Sequence, residues 1–347
     1  MVTFPKSAVL ELTYRCNHFC RFCSCPWENK RGSYPKGAEL SGEDWCRVID
    51  KLYSLGVKSI SISGGECLLY KELPVVLEHL NSQSKKLGLP QSFVLISNGL
   101  LLNEDYLHLF KCNNVHLSVS LPGFSNFKKL TGVDNAENVL YWFQRAKALG
   151  METTCNVTVT KLNISELYET LALALLNGAS SILLNRFLPG GRGLAYMDEL
   201  LLTNEQINEM LDVAEEVLSE AGRYAHVGTE IPLCVIKDPS KYKHISIGYK
   251  CAATKEFFVI DPAGQVRCCN HSPVIVGNIF DEHIISNQEY WNIFANSNYH
   301  PAFCRECGKI DNCDCGCREV AAILNASPCN IDSSINFSTI MDSHNKN

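Results

Sequence analysis

Three cysteines near the start of the chain have a spacing that could bind a metal cluster. Cys16, Cys20 and Cys23 form the pattern C-x3-C-x2-C. Three thiolates on one short loop can coordinate three irons of an iron–sulfur cubane, which leaves the fourth iron free for another ligand. The alternative is a zinc site that takes a fourth ligand such as Cys25, although zinc ligands more often come as two C-x2-C pairs.

A glycine pair followed by an acid lies farther along, in the sequence Ser63-Gly64-Gly65-Glu66. Glycines let backbone carbonyl groups approach a ligand closely, and a carboxylate suits an ammonium group. On its own, such a sequence is most often an ordinary turn. Asn98 and Ser120 stand at the ends of two later predicted strands, and each is equally well explained as a turn former.

Taken together, these features resemble the radical S-adenosylmethionine (SAM) superfamily. Its hallmark is this cysteine motif with an aromatic residue, here Phe22, before the last cysteine. In that family the open iron of a catalytic [4Fe–4S] cluster binds SAM, which implies that the three cysteines are the catalytic ligands. This chain has Cys67 where the family usually has proline, which we interpret as a local packing change. The residues that the resemblance assigns to SAM binding are Phe22, Gly64, Gly65, Glu66, Asn98 and Ser120.

A second population of cysteines lies in the last third of the chain. Cys251 is followed by Gly264 and Cys269, a C-x2-C-x5-C-x3-C run begins at Cys304, and Cys329 comes last. Without the N-terminal motif, a four-cysteine zinc ribbon would be the best interpretation of the run.

This array resembles the SPASM extension of radical SAM enzymes, which carries two auxiliary [4Fe–4S] clusters. By that resemblance the first cluster is bound by Cys251, Cys269 and Cys317, and the second by Cys304, Cys307, Cys313 and Cys329. The first cluster would have Cys234 or Cys268 as its fourth ligand, or an open site. Cys315 is surplus to this scheme.

The resemblance also implies a chemistry, in which reduced cluster and SAM give a 5′-deoxyadenosyl radical that abstracts hydrogen from a substrate. SPASM members most often modify peptides, so we predict crosslinking, epimerisation or oxidation of a peptide, such as a ribosomally made precursor. The electron donor would be a flavodoxin- or ferredoxin-type protein. Two alternatives are a radical enzyme that acts on a small metabolite or tetrapyrrole, and a non-catalytic iron–sulfur electron carrier. A carrier would have no use for the amine-binding turn at Gly64–Glu66.

Asn270 separates two peptide-modifying activities. Sulfatase maturases of this family carry an aspartate at the matching position, and it acts as a base. A neutral amide cannot accept that proton, and on a strand His271 would point to the opposite face. We therefore predict that the chain is not a sulfatase maturase.

The elements that must position these residues alternate between strand and helix from residue 8 to about 220. Such alternation predicts parallel strands joined by right-handed crossovers. With six or so units, we expect an α/β fold with a partial (β/α)6 barrel over residues 1–222 and ligands at the carboxyl ends of its strands. Residues 223–330, which include a predicted hairpin around 256–268, form a smaller loop-rich cluster-binding domain, and 331–347 a disordered polar tail.

Composition narrows the possible partners and compartment. The chain of 347 residues has a formal net charge of -6, which disfavours nucleic acid, and no apolar run long enough to cross a membrane. There is no signal-peptide pattern, so the 18 cysteines are more plausible as metal ligands in a reducing cytoplasm than as disulfides.

Overall fold

One open sheet of eleven strands organises the chain. The structure is a computed structural model that describes residues 3–89 and 93–337. The strand order is β11-β10-β9-β1-β2-β3-β4-β5-β6-β7-β8. The strands are β1 (Ser7–Glu11), β2 (Ser59–Ser63), β3 (Phe93–Ser97), β4 (Val115–Ser120), β5 (Thr153–Val159), β6 (Ser181–Arg186), β7 (Ala225–Val227), β8 (Ile245–Ile247), β9 (Phe257–Ile260), β10 (Gln265–Arg267) and β11 (Ile275–Asn278).

Helices connect the strands and cover one face of the sheet. Two of them begin with capping boxes, in which Ser41 or Thr203 accepts a hydrogen bond from the third residue of the helix. The helices are α1 (Gly42–Ser54), α2 (Leu73–Leu87), α3 (Glu104–Cys112), α4 (Phe127–Thr131), α5 (Ala136–Ala148), α6 (Leu167–Leu176), α7 (Met197–Leu200), α8 (Asn204–Ala221), α9 (Gln288–Ala295) and α10 (Arg318–Asn325).

Alternation along the strands divides the sheet into an apolar and a polar face. In β5, Cys155, Val157 and Val159 belong to the buried core, whereas Thr154 and Asn156 project to the other side. Because β4, β5 and β6 are paired in parallel register, Ser120 lies beside Asn156 on that second side. We call this side the polar face.

The predicted α/β fold with a partial barrel is confirmed. Strands β1 to β8 are consecutive and parallel, so the six predicted units are present, and two short strands extend the series at the edge. The predicted hairpin is also present, as the antiparallel pair β9 and β10.

The loop-rich C-terminal region joins the same sheet, which the sequence did not predict. β9 pairs in parallel with β1, with Phe257 opposite Ser7. The polar tail predicted from residue 331 is wrong for residues 331–337. Asp332, Ile335 and Phe337 in this segment are buried, and residues 338–347 lie outside the described part of the chain.

The sheet also borders a cavity, and the helices can be judged for membrane crossing. A cavity of about 420 Å³ lies at the amino ends of β3 to β7, between side chains that include His116, Ser118 and His226. Among residues 3–89 and 93–337, no helix has the length and apolar character needed to cross a membrane.

Candidate active site and cysteine clusters

The loop that carries Cys16, Cys20 and Cys23 follows β1 at the carboxyl edge of the sheet. Backbone hydrogen bonds hold it from two sides. Phe19 N donates to Thr131 O at the end of α4 (2.8 Å), and Gly193 N donates to Cys23 O (3.0 Å). The loop is therefore positioned by elements that come more than one hundred residues later in the chain.

The three thiols interact electrostatically and are partly buried. Burial raises the pKa of Cys16 to about 11, and burial together with the charges of Cys23 and Cys16 raises the pKa of Cys20. His18 N donates to Cys16 Sγ (3.4 Å). Because burial disfavours negative charge on Cys16 and Cys20, a cationic iron–sulfur group would supply the charge that stabilises them as thiolates.

Cys25, the alternative zinc ligand, has a different role. Its thiol donates to Cys23, which lowers the pKa of Cys23 and raises that of Cys25, and its Sγ is 4.0 Å from Gly64 O. Within the described ranges, no three His, Cys, Asp or Glu side chains are grouped to hold a single metal ion.

The glycine pair brings the end of β2 against the cysteine loop. Gly64 has φ +141, and a Cβ on Gly65 would lie 2.2 Å from Arg15 O. Gly65 N and Glu66 N donate to Thr13 O and Arg15 O, each at 2.8 Å. The glycines are thus required for close contact between two backbone segments, in addition to any contact with a ligand.

The Glu66 side chain is buried, and its oxygens already have partners within the protein. Oε2 accepts from Asn98 N (2.7 Å), and Oε1 accepts from Ser97 Oγ (2.8 Å) and Leu68 N (3.1 Å). Burial raises the pKa of Glu66, against the effect of these donors. Oε2 has one of these donors and Oε1 has two, so the carboxylate can accept a further hydrogen bond and its contact with an ammonium group stays a prediction.

The other predicted SAM-binding residues reach the same edge of the sheet. The Asn98 amide donates to Asn17 Oδ1 (2.7 Å) and lies 3.9 Å from Cys16 Sγ. Ser120 ends β4 on the polar face, and Phe22 is half-buried against Leu130, Phe187 and Leu200.

Two asparagines on the polar face escaped the sequence analysis. Asn185 Nδ2 donates to Asn156 Oδ1 (2.9 Å), which places both amides beside Ser120. A polar residue that alternates with apolar ones in a strand could have indicated these positions, because a strand buried on both faces would carry apolar residues there.

The cysteines assigned to the first auxiliary cluster lie within electrostatic range of each other. The charge of Cys317 acts on Cys251, and the charges of both act on Cys269. Two buried aspartates anchor the thiol-bearing backbone, since Cys251 N donates to Asp314 (2.7 Å) and Cys317 N to Asp332 (2.9 Å).

The cysteines assigned to the second cluster are less uniform in position. Cys315, the cysteine regarded as surplus, lies among them, since its N–H donates to Cys313 Sγ (3.4 Å) and its presence lowers the pKa of Cys304 and Cys313. Cys329 Sγ donates to Asn298 O at 3.4 Å. The charges of Cys313, Cys304 and Cys307 act on Cys234, and its ligation of the first cluster stays one of the predicted alternatives.

A buried ion pair links the barrel to the C-terminal region on the polar face. Arg267 donates to the Glu11 carboxylate at the end of β1, and both side chains are almost fully buried. Asn270 Nδ2 also donates to Glu11 Oε1 (3.1 Å). The sequence analysis did not predict this ion pair, because Glu11 and Arg267 are more than 250 residues apart.

His271 is not directed toward Glu11. It is buried, its Nε2 contacts Pro189 O (2.7 Å), and burial lowers its pKa to about 4. A Cβ on Gly190 would lie 2.5 Å from the His271 ring. The imidazole therefore packs against the segment that follows β6.

Comparison with known proteins agrees with this geometry. The family model described as the radical SAM superfamily matches residues 10–174. A PqqA peptide cyclase of Gluconobacter oxydans (strain 621H) is 27% identical over 341 residues, which cover 94% of this chain and 89% of that protein.

Two solved structures share the fold over nearly the whole chain. Streptococcus suis SuiB bound to precursor peptide SuiA has a TM-score of 0.71 and 15% identity, and the match covers 95% of this chain and 75% of that one. The native protein anSMEcpe with bound AdoMet has a TM-score of 0.71 and 17% identity, with 99% and 96% covered.

Proposed function

Because residues 10–174 match the model of the radical SAM superfamily, we propose that this chain is a radical SAM enzyme that modifies a peptide after hydrogen abstraction. The observation that carries the proposal is the meeting of four features at one edge of the sheet. These are the cysteine loop, the glycine turn, the polar strand ends and the turn that bears Cys269 and Asn270. The likeness to a PqqA peptide cyclase over nearly the full chain supports a peptide as the substrate class.

Each group of residues has a role in this proposal. Cys16, Cys20 and Cys23 would hold the catalytic [4Fe–4S] cluster, and the backbone of Gly64 and Gly65 would face the SAM amine. When bound, the reduced cluster and SAM supply a 5′-deoxyadenosyl radical. Glu66 is a positioning residue, because its carboxylate holds the Asn98 backbone beside Cys16.

The polar face would receive the rest of SAM and the substrate. Ser120, Asn156 and Asn185 offer neutral hydrogen-bonding groups there, which suit a ribose or a peptide backbone. The Glu11–Arg267 pair fixes the Asn270 amide with its nitrogen toward Glu11. The amide oxygen is then the end that remains to accept from a substrate N–H or O–H.

We further propose that a flavodoxin- or ferredoxin-type protein donates the electron and that the protein works in the cytoplasm. A reducing compartment keeps clustered cysteines available for iron. The auxiliary [4Fe–4S] clusters that the C-terminal cysteines would hold would supply an electron acceptor for a product radical, which suits a net oxidation of the peptide.

The test uses the anaerobically reconstituted full chain, reduced with dithionite in the presence of SAM. Short precursor peptides encoded beside the gene are added one at a time, and 5′-deoxyadenosine and peptide mass are measured. We expect one peptide to stimulate 5′-deoxyadenosine formation and to lose hydrogen. The triple variant Cys16→Ala, Cys20→Ala, Cys23→Ala should do neither. Stimulation by small metabolites with no effect of any peptide would contradict the proposal.

A further inference from the structure

The segment that follows β6 lies against the cysteine loop. Its residues Gly191–Tyr196 form a short 3-10 helix. Gly193 N donates to Cys23 O (3.0 Å). Gly191 has φ +47, and a Cβ on it would lie 2.7 Å from the same Cys23 oxygen. Arg192 stands between these two glycines, so the backbone on both of its sides is held close to the loop.

The Arg192 guanidinium makes three contacts in this region. Nη1 donates to Cys20 O (3.3 Å), and Nη2 donates to the Glu28 carboxylate. The guanidinium carbon lies 5.7 Å from the centre of the Phe19 ring. A planar fork of donors can hold a carbonyl and a carboxylate at the same time, and its face can stack on an aromatic ring. The side chain therefore holds the middle of the cysteine loop, at Phe19 and Cys20.

The ion pair between Arg192 and Glu28 is mostly shielded from solvent. The two side chains are 16% and 23% exposed. Glu28 is also tied to the loop by its backbone, since Glu28 N donates to Cys25 O (2.9 Å). Arg21, in the same loop, pairs instead with Glu199, and those two side chains are 33% and 52% exposed. Because water and salt screen exposed charges more strongly, Arg192 should act on the loop more strongly than Arg21.

We propose that Arg192 is a positioning residue of the catalytic cluster, which holds the cysteine loop and raises the reduction potential of the cluster. The inference rests on the proposed function, in which Cys16, Cys20 and Cys23 hold that cluster. Net charge and solvent exposure set the potential of an iron–sulfur cluster. A neighbouring cation stabilises the reduced form, which carries one more electron, and the negative charge of Glu28 has the opposite effect. A higher potential makes the cluster easier for an electron donor to reduce.

The experiment compares the full chain with the variants Arg192→Gln, Arg192→Lys, Glu28→Gln and Arg21→Gln. Each protein is reconstituted anaerobically, its iron is measured, and electron paramagnetic resonance spectra are recorded at a series of fixed potentials. The cluster at the N-terminal cysteines is identified as the one whose spectrum changes when SAM is added. We expect its potential to fall in Arg192→Gln and to rise in Glu28→Gln. Arg192→Lys keeps the charge and should stay closer to the unaltered protein, and Arg21→Gln, the matched control, should shift less than Arg192→Gln.

The opposite signs separate an effect of charge from damage to the loop, because a disturbed loop gives no reason for shifts in opposite directions. No fall in Arg192→Gln, an equal fall in Arg21→Gln, or no rise in Glu28→Gln overturns the inference. If Arg192→Gln binds too little iron for the measurement, the sign of the shift in Glu28→Gln decides. A spectrum of the unaltered protein that does not respond to SAM would contradict the proposed function itself, whereas a response to SAM with unshifted potentials contradicts only the role of Arg192.

Discussion

Glu66 lies at the end of β2 with its carboxylate directed to N–H and O–H groups of Ser97, Asn98 and Leu68. A buried carboxylate with three donors is stable. In the amide of glutamine, an NH2 group takes the place of one carboxylate oxygen and would face a group that donates to that oxygen. The same side chain fixes the backbone of Asn98, whose amide reaches the Cys16 thiol. We therefore expect its effect on SAM to be transmitted at least in part through Asn98.

For this reason Glu66→Gln should affect both stability and cofactor binding. We expect the free energy of unfolding to fall by about 1–3 kcal/mol, the cost of a buried polar group left without its partner. SAM affinity should also fall. Chemical denaturation and equilibrium binding measure the two effects, with exposed Glu78→Gln as the control. Weaker SAM binding at unchanged stability would instead indicate direct contact between the carboxylate and the SAM amine.

For single residues, the sequence identifies which residues form the site better than it identifies where their side chains point. The cysteine motif and the glycine pair locate the residues that meet at the carboxyl edge. The direction of the Glu66 side chain depends on Ser97 and Asn98, some thirty residues away, and therefore on the packing of two strands. The partnership of Glu11 with Arg267 depends on strand pairing that local spacing cannot encode.

The turn at Gly64–Glu66, which follows β2, holds the backbone that leads into the cysteine loop. Gly65 N and Glu66 N bond to the loop backbone, and the space at Gly65 is too small for a side chain. Any Cβ there must displace Arg15, which directly precedes Cys16.

Gly65→Ala should therefore displace the loop and reduce occupancy of the N-terminal cluster. We expect a loss of up to about one third of the iron, with cofactor cleavage falling in parallel. Gly88→Ala is the control, because it adds a Cβ with no atom within 4 Å at a position of positive φ (+64), and so tests backbone strain without a steric clash. Normal iron content in Gly65→Ala would show that the loop can adjust.

A hydrogen-bonded ladder crosses the polar face at the amino ends of β4, β5 and β6. His116 Nε2 contacts Thr154 Oγ1 (2.7 Å), and Thr154 Oγ1 contacts Ser181 Oγ (2.8 Å). Burial lowers the pKa of His116 below its ordinary 6.5. Below that pH the unfolded chain takes up a proton that the folded protein resists, so the stability linked to His116 is lost as pH falls.

We expect His116→Gln to weaken this pH dependence. Between pH 8 and pH 6, the variant should lose less free energy of unfolding than the wild type. At pH 8, where this histidine is neutral in both the folded and the unfolded wild-type protein, its protonation should not contribute to stability. Denaturation curves at the two pH values, with exposed His283→Gln as the control, measure the difference. An equal loss in all three proteins would mean that His116 protonates as easily in the folded state.

Most long elements could be predicted from local pattern, and the short ones could not. α1 and α8 have capping residues and regular apolar spacing, and β3, β4 and β5 are strands of 5, 6 and 7 residues. β7 and β8 contain three residues each, too few for a periodic signal. Their place in the sheet is determined by the neighbouring strand.

Across the whole molecule, Arg186 and Asp332 connect the barrel to the last described segment. Arg186 ends β6, and its guanidinium donates to Asp332 Oδ2 (2.9 Å) with both side chains fully buried. The same aspartate oxygen accepts from Cys317 N. The segment after residue 330 therefore anchors both the sheet and a cysteine of the first auxiliary set.

Truncation after residue 330 should thus be far more harmful than truncation after residue 337. The shorter chain leaves Arg186 buried without its partner, for which we expect about 3–5 kcal/mol of lost stability. It should also lose iron from the first auxiliary set. Unfolding curves and iron content of the two truncated proteins test this, and equal behaviour would mean that Asp332 contributes little.

The domain plan illustrates the limit of sequence analysis at the largest scale. Composition correctly marks residues 223–330 as loop-rich and cysteine-rich, and the cysteine spacing resembles a known extension. The pairing of β9 with β1 and the burial of 331–337 involve partners distant in sequence, for which single residues give no signal.

The central position of β1 has a consequence for the order of assembly during synthesis. β1 is among the first segments to leave the ribosome, and β2 can cover one of its edges soon afterwards. The other edge stays open until Phe257–Ile260 has been translated. An exposed strand edge can pair with other chains, so the nascent protein is vulnerable to aggregation until its C-terminal third appears. The cysteine loop beside β1 needs Thr131 and Gly193 to hold its backbone, so we expect iron loading to follow synthesis of these later segments rather than accompany that of β1.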